Sequence, residues 1–192
     1  MNNVNHYHLK TPTIITTLKL GTPKELREKW AKEAYNLNSF SYETNLKSQM
    51  SSYHIWEETK LYNELIDNLQ TTINNTRTKI NIIPKDHGFW IWEAWSAIYK
   101  ESEYALEHSH NKSSLAFCYY IKVGNNTTPL VFNELPYKII PEDDMLIIFD
   151  ANLKHSVPPH VGEDRIVLAG NCLIVPKEYL NEPRPKSPTH KQ

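Results

Sequence analysis

Apolar residues recur at helical spacing in the first part of the chain. Four of them follow one another at intervals of four residues: Leu61, Leu65, Leu69 and Ile73. This spacing predicts an amphipathic helix over about residues 57–74. Further upstream, the sequence TPKE at residues 22–25 has the form of a capping box with proline at the first helical position. It predicts another helix that ends near Tyr35, and we interpret both helices as scaffold.

From about residue 80 the pattern changes to short apolar runs such as SLAFCYYIKV and MLIIFD. Clusters of Pro, Gly, Asn and Asp separate these runs, a succession that is typical of a sandwich or jelly roll. We therefore predict one domain over residues 1–180, mainly β with N-terminal helices (α+β). A helical part would span about 1–79 and a β core about 80–176, while the proline-rich and charged residues 181–192 would form a flexible tail.

The composition argues against a nucleic-acid-binding, a disulfide-rich or a membrane-spanning protein. The 192 residues include 21 basic and 22 acidic side chains, so the chain lacks the positive surplus with which proteins bind nucleic-acid backbones. Cys118 and Cys172 each lie within an apolar run, which favours buried thiols in a reducing compartment over a disulfide. The sequence contains no apolar stretch with the length of a membrane span or the form of a signal peptide. We expect a soluble, cytoplasmic protein.

Three histidines and one arginine are candidate functional residues. His108 and His110 lie two residues apart before an apolar run, so in an extended backbone both side chains point to the same face and could grip one ion. His155 follows MLIIFD and a short turn, and Arg165 comes ten residues later. Because the chain has nine histidines, the pair alone leaves a polar loop open as an alternative. His160 lies in the turn before the arginine and is expected to be exposed.

The order of these parts resembles the 2-oxoglutarate/Fe(II) oxygenase superfamily, above all its small phage-type members related to prolyl 4-hydroxylases. The resemblance covers roughly residues 95–173. Its segments are WSAIY (95–99), Tyr104, the paired histidines, AFCYY (116–120), PE (141–142), LIIF (146–149), HSVP (155–158) and RIVLAGN (165–171). It implies a double-stranded β-helix core of the jelly-roll or cupin kind.

The resemblance also implies an iron site. His108 and His155 match the two histidine ligands of the family, whereas His110 stands where most relatives have a carboxylate. We interpret this departure as a three-histidine site, because neutral imidazole is a competent iron ligand. The cofactors implied are Fe(II), O2 and the cosubstrate 2-oxoglutarate.

Arg165 matches the arginine that holds the distal carboxylate of 2-oxoglutarate in these relatives. Guanidinium suits this role because it pairs with a carboxylate bidentately and is always charged. Tyr120 and Tyr99 match tyrosines that face the cosubstrate, and Tyr104 would contact either cosubstrate or substrate. Because side chains alternate along a strand, Asn171 shares the face of Arg165 and is expected to be a polar contact near the iron.

The function implied is a dioxygenase that hydroxylates a C–H bond of a peptide or amino-acid substrate and releases succinate and CO2. Two alternatives remain open. A three-histidine cupin-type dioxygenase that does not use 2-oxoglutarate would explain His110 more directly, but it has no use for Arg165. The other alternative is a non-catalytic metal-binding module that has kept the fold.

The partners follow from the same considerations. The substrate is expected to be a protein side chain or an amino acid, and the nearly neutral charge makes nucleic acid a less favoured substrate. Membrane binding is not expected, and the oligomeric state is left open, with a homodimer as one option. Residues 40–56 are where we expect a lid or a substrate contact. The Asn-, Lys- and Ile-rich composition hints at a phage, whose protein would work in the host cytoplasm.

Overall fold

The computed structural model of the protein describes residues 4–8, 14–37, 44–80 and 83–186. In these ranges the chain forms the helices α1 (Lys24–Leu37) and α2 (Lys60–Ile80) and the short 3-10 turns Ile55–Glu57 and Lys177–Asn181. Its strands are β1 (Val4–His8), β2 (Ile14–Lys19), β3 (Leu46–Lys47), β4 (Gln49–Met50), β5 (His87–Tyr99), β6 (Tyr104–His108), β7 (Leu115–Lys122), β8 (Leu130–Phe132), β9 (Tyr137–Ile139), β10 (Met145–Asp150), β11 (His155–Val157) and β12 (Arg165–Pro176). None of the described helices has the length and apolar character needed to cross a membrane.

The strands form two antiparallel sheets. The larger sheet has the order β1-β2-β10-β7-β12-β5-β4, and the smaller sheet has the order β3-β6-β11-β8-β9. Apolar side chains from both sheets pack into a common core, so the sheets lie face to face. This arrangement agrees with the predicted jelly roll that is preceded by helices.

Strand β12 lies inside the larger sheet and pairs with β5 on one side and β7 on the other. Because side chains alternate between the faces of a strand, Ile166 and Leu168 enter the core beneath the helices, whereas Val167 enters the core between the sheets. Arg165 and Asn171 share the face of Val167 and are both buried. The central strand therefore carries two polar side chains into the space between the sheets.

The two helices cover the outer face of the larger sheet. Trp30 of α1 and Leu65 and Leu69 of α2 pack with apolar residues of β5, β7 and β12 in one cluster. The hydroxyl of Tyr62 donates a hydrogen bond to the carbonyl of Trp30 at 2.9 Å and so links the helices. The apolar stripe that predicted α2 is thus the face that the helix buries, although the helix continues beyond the predicted end to Ile80.

The beginning of the chain differs from the prediction. Strand β2 pairs with β10, and β1 pairs with β2, so the larger sheet gains two strands at one edge. The expectation of a helical part over residues 1–79 is therefore wrong for its beginning. The sequence IITTLK of β2 is rich in β-branched residues that favour strands. Its partner β10 lies far along the chain, so no local sequence pattern predicts the pairing.

Part of the segment expected to be a flexible tail, residues 181–186, lies against α2 and the turn before it. The indole Nε1–H of Trp56 donates to the carbonyl of Pro185 at 3.1 Å, and the Arg184 guanidinium pairs with the carboxylate of Asp67 at 2.6 Å. These residues of the tail are thus in contact with the domain. Residues 187–192 lie outside the described residues.

The carboxylate of Asp144, in the turn before β10, ties three parts of the fold together. It accepts hydrogen bonds from the backbone N–H groups of Gly21 (2.6 Å) and Thr22 (2.9 Å), just before α1, and from the hydroxyl of Tyr119 (2.7 Å) on β7. Asp144 itself has a positive φ of 67°. This buried acceptor fixes the start of α1 against the larger sheet.

Replacing Asp144 with alanine is expected to lower the free energy of unfolding by about 2–4 kcal/mol, because two backbone donors lose their acceptor. Urea denaturation followed by circular dichroism measures the change. Asp144→Asn is the matched control, since it keeps an acceptor oxygen and tolerates a positive φ, and it should lose less stability. An alanine variant as stable as the wild type would contradict this account.

Candidate functional site

A cavity of about 280 Å³ opens between the two sheets. One group of lining residues comes from β6, β11 and the turn after β6, and includes the three histidines singled out from the sequence. The other group comes from β5, β7 and β12 of the larger sheet. The lining residues predicted from the sequence are His108, His110, His155, Arg165, Tyr99, Tyr120 and Asn171.

The three histidines meet because β6 and β11 are paired. His108 ends β6 and is the register partner of His155, the first residue of β11. His110 follows directly after β6, and one ligand nitrogen from each ring lies within 4.8 Å of the others. The ring centroids are 4.2 Å apart for His108 and His155, and about 5 Å apart for the other two pairs, at 5.0 Å and 5.1 Å. The predicted cluster is therefore assembled.

Backbone carbonyls orient two of the rings. The Nδ1 atom of His108 lies 2.7 Å from the carbonyl oxygen of Leu106, and Nδ1 of His155 lies 2.8 Å from that of Leu153. Because a carbonyl only accepts, each Nδ1 carries the hydrogen in a neutral ring and leaves the Nε2 lone pair available to an ion.

Burial keeps these imidazoles neutral. It lowers the pKa of His110 to about 3 and that of His155 to about 4, with the neighbouring histidines adding to both shifts. The pKa of His108 is also lowered, mainly by burial. Neutral imidazole is the ligand form, so at neutral pH the cluster presents nitrogen donors that fit a divalent transition metal such as Fe(II).

Arg165 is a buried cation in the same cavity, with only 1% of its surface exposed. Its Nη1 donates to the carbonyl of Thr128 at 2.7 Å, while its Nε is buried without a partner. The guanidinium carbon lies 4.4 Å from the ring centre of Tyr99 and 5.9 Å from that of Tyr120. No carboxylate in the described part of the chain forms a salt bridge with it. Because a buried charge without a counter-ion is costly, this end of the cavity favours an anionic ligand.

The walls around the guanidinium stay uncharged. Burial raises the pKa of Tyr99 and Tyr120, and nearby Arg165 only partly offsets it. Burial also raises the pKa of the Cys118 thiol to about 12, so this side chain is protonated at neutral pH. The two phenols therefore keep their O–H donors, and no anion from these groups neutralises the arginine.

Two residues named from the sequence lie apart from the other cavity residues. Tyr104 is not in the cavity lining, where its neighbour Ala105 takes the inward position on β6, so its contact with cosubstrate or substrate stays a prediction. His160 was expected to be exposed but is fully buried. Its Nε2 lies 2.8 Å from the carbonyl of Glu163, and its backbone N–H donates to the carbonyl of Glu103 at 2.7 Å. This histidine organises the turn before Arg165 and does not join the cluster.

Sequence reasoning missed several residues at the open end of the cavity. Glu93 accepts a hydrogen bond from the side-chain amide of Asn171 at 2.9 Å. The ring centroid of Trp95 lies 5.2 Å from that of Tyr53 and 6.0 Å from that of His110. The segment over residues 40–56 was expected to hold a substrate contact, and Tyr53 belongs to its described part. The lining residues from that segment are Thr44, Asn45, Leu46, Met50 and Tyr53.

Comparisons with known proteins bear on the fold. No family model and no curated protein sequence matches the chain. Solved structures match over most of its length. A viral collagen prolyl hydroxylase from Paramecium bursaria Chlorella virus-1, in complex with 2-oxoglutarate, superposes with a TM-score of 0.63 at 14% identity, covering 82% of this chain and 94% of that one.

Two bacterial structures are similar to the same degree. A prolyl-4-hydroxylase from Pseudomonas putida gives a TM-score of 0.63 at 15% identity and covers 83% of this chain and 91% of that one. HygX from Streptomyces hygroscopicus, with nickel and 2-oxoglutarate bound, gives 0.61 at 8% identity and covers 82% of each chain. The fold is that of the 2-oxoglutarate/Fe(II) oxygenases. The predicted jelly-roll class and the likeness to prolyl 4-hydroxylases are thereby confirmed at the level of the fold.

The histidine cluster makes a direct prediction about metal binding. His108→Ala and His155→Ala should each weaken binding of Co(II), a stable stand-in for Fe(II), by about 100-fold or more, because even losing a supporting hydrogen bond costs 10–100-fold at such sites. Isothermal titration calorimetry of the metal-free protein measures the loss.

His87→Asn is the matched control for these variants. His87 opens β5 and lies against Asp86 at 2.9 Å, and it belongs neither to the cluster nor to the cavity lining. This variant should bind Co(II) as the wild type does. If alanine at His108 or His155 left the affinity unchanged, the assigned cluster would not be the metal site.

Proposed function

We propose that the protein is a 2-oxoglutarate- and Fe(II)-dependent dioxygenase that hydroxylates a C–H bond of its substrate. The observation that carries the proposal is Arg165, a buried cation without a carboxylate partner in the described residues, which shares one cavity with three neutral histidines. Solved structures of the same fold contain 2-oxoglutarate, in one case together with nickel. The donor set and the cation suit those two ligands.

The metal would be held by His108, His110 and His155. Bound Fe(II) supplies the redox chemistry by which 2-oxoglutarate and O2 give succinate and CO2 while one oxygen atom enters the substrate C–H bond. The carbonyl groups behind His108 and His155 fix their rings, so the lone pairs face the ion site before it is filled. His110 replaces the carboxylate of most relatives, which leaves the site more positive by one charge.

Arg165 would hold the distal carboxylate of 2-oxoglutarate. A guanidinium whose Nε lacks a partner can donate to a carboxylate that enters the cavity. The phenols of Tyr99 and Tyr120 stay protonated beside it and can add hydrogen bonds. Val167 and Ala169 line the wall on the way from Arg165 towards Asn171, and this apolar wall limits the entry of water.

The third histidine favours one alternative, a three-histidine dioxygenase that does not use 2-oxoglutarate. The alternative accounts for His110 without a departure from a family pattern. This alternative provides no anionic ligand for the buried charge of Arg165, and burying an unpaired cation is costly. We therefore prefer the 2-oxoglutarate-dependent reaction, and we propose a peptide or amino-acid substrate by analogy with the prolyl hydroxylases of the same fold.

Arg165→Gln is expected to weaken 2-oxoglutarate binding to the Co(II)-loaded protein by about 30-fold or more, because removing one partner of a buried charge pair costs at least about 2 kcal/mol. Calorimetry on the loaded protein measures the affinity. Arg165→Lys should recover only part of it, since an ammonium keeps the charge but loses the bidentate geometry.

Arg184→Gln provides the control, because it removes an identical charge beside Asp67, at a site outside the cavity lining. It should bind 2-oxoglutarate as tightly as the wild type. With Fe(II) and O2 the wild type should also form succinate, and Arg165→Gln should form much less. A wild-type protein that binds no 2-oxoglutarate, or an Arg165→Gln variant that binds it equally well, would rule the proposal out.

A further inference from the structure

The cavity has a second polar end, opposite Arg165. Strands β5 and β12 pair rung by rung, from Arg165 and Tyr99 at one end to Asn171 and Glu93 at the other. Arg165 and Asn171 are six residues apart on one strand, which corresponds to about 20 Å. Arg165 is fully enclosed, whereas Glu93 is partly exposed, so the carboxylate lies at the open end.

A β-bulge lies directly before Glu93, which keeps the cavity face that it shares with Trp95 and Tyr99. The register between β5 and β12 shifts where Asn171 pairs with Glu93 but Cys172 pairs with Ile91, so Trp92 is an extra residue. Ile91 accordingly packs in the core beneath the helices, although Trp95, an even number of residues away, packs between the sheets. Bulges redirect side chains in this way, often beside functional sites.

The open end presents hydrogen-bond acceptors without matching donors. Asn171 donates through Nδ2 to Glu93 Oε2 at 2.9 Å, and because an ionised carboxylate only accepts, this bond fixes the orientation of the amide. Asn171 is 5% exposed, and its Oδ1 is buried without a donor in the described residues. Within the same ranges no Lys or Arg forms a salt bridge with Glu93. The Glu93 carboxylate and the amide oxygen of Asn171 can therefore both accept hydrogen bonds from a cationic donor.

Aromatic rings stand beside this carboxylate. Trp95 follows Glu93 on the cavity face of β5, and its ring meets that of Tyr53 edge-on at 5.2 Å with an interplanar angle of 74°. The ring centroids of Trp95 and His110 are 6.0 Å apart. Aromatic faces combined with a carboxylate are a composition that binds organic cations. The distance to His110 places such a cation close to the histidine cluster.

We propose that Glu93, Asn171, Trp95 and Tyr53 form a subsite for a positively charged nitrogen group of the substrate, an ammonium or a guanidinium. The substrate class is then a basic amino-acid side chain or a comparable amine. This inference rests on the proposed function, because the oxidised C–H bond would belong to the same substrate side chain as the bound nitrogen group. The cavity would thus select an anionic cosubstrate at one end and a cationic substrate at the other.

Binding of simple probes to the metal-free protein tests the subsite without any turnover. The probes are the N-methylamides of Nα-acetyl-lysine and Nα-acetyl-arginine, each with its neutral counterpart, the norleucine or citrulline derivative. Ligand-observed NMR titrations should give dissociation constants at least about tenfold lower for the cationic member of one pair, because a charged hydrogen bond and a cation–π contact are lost with the charge. Glu93→Gln, which keeps the shape and can still accept from Asn171, should abolish that preference.

Glu134→Gln is the matched control, because Glu134 is 55% exposed and lies outside the cavity lining. It should keep the preference for cations. Glu93→Gln should keep wild-type affinity for 2-oxoglutarate, whereas Arg165→Gln should lose that affinity and keep the preference for cations, so the two proposals fail separately. Equal binding of cationic and neutral probes by the wild type, or a preference that survives in Glu93→Gln, would overturn the inference.

Discussion

The pairing of β12 with strands on both sides is the constraint on which the site depends. Two ladders of hydrogen bonds fix the direction in which each of its side chains points, and alternation sends Arg165, Val167 and Asn171 to the same side. The helices cover the opposite face of the sheet, so the strand is enclosed and its few polar side chains must find partners in the cavity. Any change of register by one residue would move both ends of the cavity to the wrong face.

The resulting cavity is electrostatically polarised. The Arg165 guanidinium at the closed end and the Glu93 carboxylate at the open end each lack an opposite charge in the described residues. Neutral imidazoles line the space on the facing sheet. An uncompensated charge inside a protein costs free energy unless a ligand supplies its partner. The cavity is therefore better suited to two ligands of opposite charge than to one apolar ligand.

Much of the site could be predicted from the sequence, and the exceptions have physical causes. Alternation alone placed His108 and His110 on one face, and the order of later motifs pointed to His155 and Arg165. Glu93 lies on the same face of β5 as Tyr99, so alternation allows it in the cavity, but only its hydrogen bond with Asn171, 78 residues further along the chain, marks it as part of the site. The buried position of His160 involves the carbonyl of Glu103, which lies in a turn distant in sequence, as well as the nearby carbonyl of Glu163. Strand β2 was not predicted because it forms by pairing with β10, which lies far along the chain.

The central claim is that one cavity holds a metal ion and 2-oxoglutarate together, with Arg165 as the anchor of the cosubstrate. A crystal structure of the protein grown with Ni(II) and 2-oxoglutarate tests it most directly. The account predicts an ion bound by nitrogen atoms of His108, His110 and His155, and the distal carboxylate of 2-oxoglutarate on the guanidinium of Arg165. An ion bound elsewhere, or a cavity in which the guanidinium meets no carboxylate at saturating 2-oxoglutarate, would contradict it.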